Sequence, residues 1–322
     1  MLSLRKQLTI YGKDAMKAVQ VRQWGGYDAT VVEDVERPQP AAGEVLVRVR
    51  ATSVNPLDWS IREGYLQEYV SLPYRLGSDV AGDIEAIGEG VEGLQVGTAV
   101  YGMKGLRGGG YAEYTTMLPS ELAPKPASLN YKESAAVPHA ALTAWQALFD
   151  IAQIQAGQKV LIHAAAGGVG HYAVQFAKLK GAYVIGTGSA KNEEFVRGLG
   201  ADEFIDYPNI PFESVVKDAD VVFDTVGYDT TVRSLQALKS GGTLVCIVTP
   251  PPPEVAAQYD INVKFYGAHP DSAQLSEIGK LIDEGKVKPS ISQILPIDQV
   301  PEALQISQSR HVRGKLVLSL EE

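Results

Sequence analysis

The stretch KVLIHAAAGGVGHYAVQFAKLKGAYVIGTGS, residues 159–189, decides the fold class. An apolar strand runs into Ala165-Ala166-Gly167-Gly168-Val169-Gly170 and then into a helix whose apolar face is Val169, Ala173, Phe176 and Ala177. A second strand follows over 183–187. This is one strand–helix–strand unit with a dinucleotide-type glycine turn whose first glycine is replaced by Ala165. At Gly167 the chemistry asks for little bulk, because backbone must approach a pyrophosphate there. At Gly170 it asks for none, because helix and strand pack against each other. The helix start supplies N–H groups and partial positive charge for phosphates. Ala165 can make the first turn provided its φ is not positive. A glycine turn that binds nothing shares this pattern; the strand–turn–helix context favours the nucleotide.

Which nucleotide is bound can be read from charge. NAD sites place a carboxylate about 20 residues past the turn, on the ribose 2′-OH. Here no acid occurs between His171 and Asn192, and the second strand ends in Ser189-Ala190-Lys191. An acid would repel a 2′-phosphate, whereas Ser189 and Lys191 would receive it. NADPH is the expected cofactor.

Working outward, the texture changes on both sides. From Met16 to about Lys125 the chain reads as short alternating strands with Gly and Pro punctuation: EVLVRVRATSV (44–54), DVAGDIEAIGEGV (79–91), GTAVYGM (97–103) and YAEYTTM (111–117). That spacing predicts a mostly antiparallel β domain. From about Glu133 to Gly267 strands alternate with helices. The further strands are EFIDY (203–207), ADVVFDTV (219–226), GTLVCIV (242–248) and INVKFYG (261–267), near-continuous apolar runs suited to a parallel sheet covered on both faces. A helix over 272–285 and a final strand, RGKLVLSL (313–320), return to the first texture. The expected architecture is therefore α/β. A Rossmann doubly wound domain (133–267) is inserted into a discontinuous β domain (16–132 and 268–322), after an N-terminal extension over 1–15. The prolines at 250–253 read as a polyproline-type loop.

Composition sets the outer bounds. At 322 residues two domains are the default, since single domains run to roughly 100–200 residues. A net charge of −9 argues against a nucleic-acid binder, which needs a basic face. No apolar run reaches the ~20 residues of a membrane span. The single cysteine, Cys246, excludes a disulfide framework and a Cys-rich zinc lobe, and points to a reducing, cytoplasmic compartment.

Eight stretches, in order, resemble a known family: SVNPLDWSIREG (53–64), LGSDVAGDIEAIGEGV (76–91), GGYAEY (109–114), AAVPHAALTAWQAL (135–148), AAAGGVG (164–170), LGADEFIDY (199–207), VFDTVG (222–227) and RGKLVL (313–318). The chain resembles the zinc-independent quinone oxidoreductase branch of the medium-chain dehydrogenase/reductase superfamily, with its zeta-crystallin-like and enone-reductase members. The resemblance implies a GroES-like β domain, a Rossmann domain and a cleft between them. The three catalytic zinc ligands of the related alcohol dehydrogenases would fall on Asn55, Ser78 and His139. Only the last is a strong ligand, so no metal is expected. His139 then reads as a helix-start or cleft-lining residue.

Without a Lewis acid, alcohol oxidation is disfavoured. A quinone or enone instead accepts hydride at carbon, and the protein supplies proximity and orientation. By resemblance, Asn55 would orient the nicotinamide or its ribose, and Thr143 would sit beside the ring. Asp58 is a further catalytic candidate, although fixing its loop is the plainer role. Tyr207 would lie near the adenosine phosphate. Val226, Ile247, Ala268, Arg313 and Lys315 complete the expected cofactor-binding set. The family often has Lys or Tyr where Ser60 stands, and Tyr65, Tyr69 and Tyr74 are hydroxyl donors or ordinary β-domain residues. An alkenal or enone double-bond reductase and a non-catalytic NADPH sensor remain alternatives. A homodimer through the sheet edge at 261–267 is expected as well.

Overall fold

The computed structural model describes residues 15–321. Of the expected N-terminal extension, all but Ala15 lies outside the described residues; Ala15 opens the strand Ala15–Val21. The chain forms two units: residues up to 139 with 269–283 and 291 onward, and 140–268 with 284–290. The division thus falls seven residues later than the expected 132/133 boundary. The short segment 284–290 joins the second unit although both its flanks belong to the first.

The first unit is built on a seven-stranded sheet. Its order is Ile291–Pro296, Lys315–Ser319, Val45–Val54, Asp79–Ile87, Ala99–Met103 and Leu122–Pro124, with Tyr114–Met117 also paired to Val45–Val54. All pairs are antiparallel except Ile291–Pro296 with Lys315–Ser319. Alternation sets the faces. Val45, Val47 and Val49 pack with Val80, Ile84, Val100 and Met117, while Arg48 between them is exposed. Each such buried valine contributes about 1.5–3 kcal/mol. A three-stranded sheet, Thr30–Glu36, Ala15–Val21 and Tyr74–Arg75, completes the β structure. Register in the larger sheet brings the two ends of this unit together. Leu316 lies opposite Val54, so the strand's first residue, Lys315, falls beside the end of Val45–Val54, where Asn55 begins the next element.

The second unit is a six-stranded parallel sheet. Its strands in chain order are Lys159–Ile162, Tyr183–Gly188, Glu203–Asp206, Ala219–Asp224, Leu238–Cys246 and Ile261–Phe265, and in space they run third, second, first, fourth, fifth, sixth. This doubly wound order reverses between the first and fourth strands, which opens a crevice at their carboxyl ends. Val160, Leu161, Ile162, Val221, Val222 and Phe223 are all buried, as central strands covered on both faces require. The sixth strand departs from the expected apolar run: at the sheet edge, Asn262, Lys264 and Phe265 are exposed. The proline run also differs, since Pro253 opens a short helix, Pro253–Ala256. Among the described residues no helix is long and apolar enough to cross a membrane.

Candidate active site and nucleotide turn

In the second unit the helix after the glycine turn starts at Gly170, one residue later than its expected apolar face implies. Val169 is its N-cap and half-exposed, while Ala173, Phe176 and Ala177 are buried. The left-handed residue is Ala164, with φ of 48°, and not Ala165, whose N–H pairs with the Thr187 carbonyl at 2.9 Å. An alanine held there costs of order 1 kcal/mol, and such strain concentrates at ligand-binding turns. A Cβ on Gly170 would lie 2.2 Å from the Ala164 carbonyl oxygen, so this turn closes only over glycine. The Gly167 N–H is used within the turn, bonding Ala164 O at 2.8 Å. The N–H groups of Gly168, Val169 and Gly170 have no acceptor among the described residues. Three adjacent donors at a helix start are what a pyrophosphate requires.

The turn is braced from below by a buried histidine that sequence reasoning passed over. His163 has Thr187 Oγ1 3.1 Å from Nδ1 and Ser234 Oγ 3.0 Å from Nε2, and Thr187 Oγ1 also accepts from Ala164 N–H at 3.3 Å. Burial pushes its pKa down to about 4, so the ring is neutral. Ser189 and Lys191 follow the second strand, Lys191 exposed, and Tyr207 follows the third, 53% exposed. Val226 and Ile247 lie half-buried beyond the fourth and fifth strands, where the buried Asp224 carboxylate accepts from Val226 N–H at 2.8 Å. Thus Ser189, Lys191, Tyr207, Val226 and Ile247 stand at the carboxyl ends of these parallel strands, whereas the expected Arg313 and Lys315 belong to the first unit. Thr143 is buried in this unit, its carbonyl accepting from the Tyr266 hydroxyl, and Ala268 is half-buried.

The first unit gathers Asn55, Asp58, Ser78, His139 and Lys315 around one residue that sequence reasoning did not reach, Asp79. Its side chain is fully buried. Asp79 Oδ1 accepts from the His139 backbone N–H at 2.7 Å. Asp79 Oδ2 accepts from Ser53 Oγ at 2.5 Å and Asn55 Nδ2 at 2.8 Å, and the Lys315 ammonium lies 3.6 Å away. Lys315 is itself 3% exposed and donates to Val54 O at 2.9 Å and Asn55 Oδ1 at 2.5 Å. Burial lowers its pKa, and Asp79 and Asp58 oppose that shift. The Asn55 amide is therefore held at both ends, oxygen toward the cation and nitrogen toward the carboxylate. A charged residue at the start of an otherwise apolar strand was the available signal for Asp79; Lys315, expected as a cofactor-binding residue, is instead engaged with Val54, Asn55 and Asp79.

Asn55 also starts the helix Pro56–Arg62, with Asp58 at its third position. Asp58 accepts from Asn55 N–H at 2.8 Å, Tyr111 OH at 2.8 Å and Gly77 N–H at 3.2 Å. Burial raises its pKa to about 6 despite these donors. Ser60 lies in the same helix, half-buried. Beyond it, Tyr65 and Tyr69 are about 70% exposed. Tyr74 is buried and donates to Leu106 O at 2.9 Å. Arg313 is exposed, two residues before Lys315.

The three positions that carry zinc ligands in the related dehydrogenases do come together here, yet they do not suit the metal. Ser78 Oγ lies 2.9 Å from His139 Nδ1 and accepts from Gly105 N–H at 3.1 Å. Both ends of the Asn55 side chain are engaged, and a lysine ammonium already sits against it. Zinc wants thiolate, imidazole or carboxylate donors with one position open. An amide, a hydroxyl and one imidazole beside a fixed cation do not offer that. Burial also lowers the His139 pKa to about 4, leaving the ring neutral. Among the described residues no group of three His, Cys, Asp or Glu side chains could hold a metal.

Comparison with known proteins places these features. A model of the alcohol dehydrogenase GroES-like domain matches residues 41–127, and one of a zinc-binding dehydrogenase matches 199–318. The mitochondrial NAD(P)H oxidoreductase RTN4IP1 of Danio rerio is 32% identical over 87% of this chain and 84% of its own. The quinone oxidoreductase from Coxiella burnetii is 34% identical, with a TM-score of 0.88 over 95% of this chain and 100% of that one. A mycobacterial protein solved with NADPH is 29% identical, with a TM-score of 0.85 over 94% and 99%.

Proposed function

Because this chain belongs to the quinone oxidoreductase branch of the medium-chain dehydrogenase/reductase superfamily, we propose that it is an NADPH-dependent, zinc-independent reductase of quinones or other conjugated carbonyls. The observation that carries the reading is the Asn55, Ser78, His139 set with Lys315 beside it, a metal-site position rebuilt from residues that do not suit a metal. NADPH, when bound, supplies a hydride, and the reduced acceptor takes its proton from water.

The chain's own contribution is binding and orientation. The N–H groups of Gly168, Val169 and Gly170 bind the pyrophosphate, with Ala165, Ala166 and Gly167 shaping the approach. Ser189, Lys191 and Tyr207 receive the adenosine 2′-phosphate. Asn55, fixed by Lys315 and Asp79, presents its amide at constant orientation, which is where the rate advantage of a positioned reactant arises. Asp58, with its three donors, holds the loop that carries Asn55. Thr143 flanks the nicotinamide. No side chain in this scheme has to polarise a hydroxyl, which favours an electron-poor acceptor over an alcohol.

The edge strand Ile261–Phe265, with Phe265 55% exposed, is the surface through which we place a homodimer. Sedimentation of a monomer at micromolar concentration would remove that element. The compartment we propose is the reducing cytoplasm, on the single buried cysteine.

The function is tested by NADPH oxidation against quinones, 2-alkenals, cyclic enones and simple alcohols, with and without a chelator. Turnover of the conjugated acceptors alone, unaffected by chelation, is expected. Stoichiometric zinc by elemental analysis together with chelator-sensitive alcohol oxidation would overturn the proposal. Tight NADPH binding without turnover of any acceptor would favour a sensor.

A further inference from the structure

The stretch 171–192 holds no acid, yet the fold brings one to its end. Asp206 closes the third strand, Glu203–Asp206, which pairs in parallel with Tyr183–Gly188. In that register Asp206 faces Gly188, one residue before Ser189. Its Oδ1 accepts from the Ala190 backbone N–H at 2.8 Å, and its Oδ2 accepts from Asn209 Nδ2 at 2.6 Å. Ala190 begins the turn Ala190–Asn192, which also carries Lys191, and Tyr207 N–H bonds Gly188 O at 3.2 Å. The corner that offers a serine, a lysine and a tyrosine to a 2′-phosphate therefore already contains a carboxylate. That carboxylate occupies one of the corner's backbone donors.

We propose that Asp206 is a specificity-determining residue that works against the 2′-phosphate and so restrains the preference for NADPH over NADH. This rests on the nucleotide reading of the glycine turn and refines it. The physical reason is simple. A dianionic phosphate gains from Lys191 and loses to a fixed negative charge on the adjoining strand, while a ribose hydroxyl is not repelled and can donate to that charge. The acid found about 20 residues past the turn in NAD sites is here supplied from the neighbouring strand, 36 residues past Gly170.

The test is a pair of titrations, NADPH and NADH, followed by nucleotide fluorescence on the full-length chain and on Asp206→Asn. Asparagine keeps an oxygen for Ala190 N–H and removes the charge, together with the acceptor of Asn209 Nδ2, a loss that the Asn209 variant reproduces on its own. One unit charge about 4 Å away in a water-exposed corner corresponds to about a fivefold change in affinity. The NADPH-to-NADH affinity ratio should rise by about that factor or more, mainly through tighter NADPH binding. Asn209→Ala, which breaks the other contact of Asp206 without changing charge, should leave the ratio within about twofold. An unchanged ratio in Asp206→Asn, or an equal rise in Asn209→Ala, overturns the proposal. Failure of the wild type to bind either nucleotide would instead overturn the nucleotide reading itself.

Discussion

Replacing Lys315 by methionine should be among the most damaging single changes in the first unit. The Lys315 ammonium is 3% exposed and lies 3.6 Å from the fully buried Asp79 carboxylate. Methionine fills much the same volume, so the loss is electrostatic rather than a cavity. Removing one partner of a buried pair costs about 3–5 kcal/mol, because the other charge stays behind without compensation. The Val54 carbonyl and Asn55 Oδ1, which accept from the amine at 2.9 and 2.5 Å, lose their donor as well. Adding Asp79→Asn removes the stranded charge and should recover about half of the loss or more, a coupling beyond what independent sites show. The assay is urea unfolding read by tryptophan fluorescence in a Trp145→Phe background. That background leaves Trp24 and Trp59, both in the first unit, as reporters. A Lys315→Met cost below about 1 kcal/mol, or strict additivity in the double variant, would refute the claim that this pair is the electrostatic centre of the site.

The same geometry sets other outcomes. Lys191→Ala should weaken NADPH binding by about 1–2 kcal/mol and leave NADH nearly untouched; equal losses by titration would remove Lys191 from the 2′-phosphate site. Asn55→Ala should lower turnover more than NADPH affinity, since the phosphates remain held at 167–170; steady-state kinetics with nucleotide titration separate the two. Asp58 carries a pH signature: its pKa is raised from 3.8 to about 6, so its stabilising contribution is full below the unfolded value and is lost as pH rises through 6. Relative to Asp58→Asn, the wild type should therefore lose up to about 3 kcal/mol between pH 4 and 7 in urea unfolding, and parallel pH profiles would contradict this.

The sequence by itself determined the parts whose signal is local. The strand–turn–helix over 159–189 was legible because periodicity changes from strand to helix around a glycine cluster, and each reports on neighbours a few residues away. The exclusion of a Cys-rich zinc lobe was equally direct, since one cysteine cannot build it. Asn55, Asp58 and His139 were legible as candidates through the family resemblance, without any indication of what holds them. Tertiary structure alone decided that Asp79 is the common partner of Asn55 and His139 and that Lys315 reaches Asn55 from 260 residues away. It also put the left-handed residue of the turn at Ala164, leaving Ala165 free of positive φ, placed 284–290 with the second unit, and set Asp206 against Ala190. The reason is the same in each case. A buried charge or an occupied backbone donor is defined by its partner, and strand register across the sheet chooses that partner. Hydrophobic pattern along the chain fixes which face is buried, but it carries no information about which distant strand will supply the opposite charge.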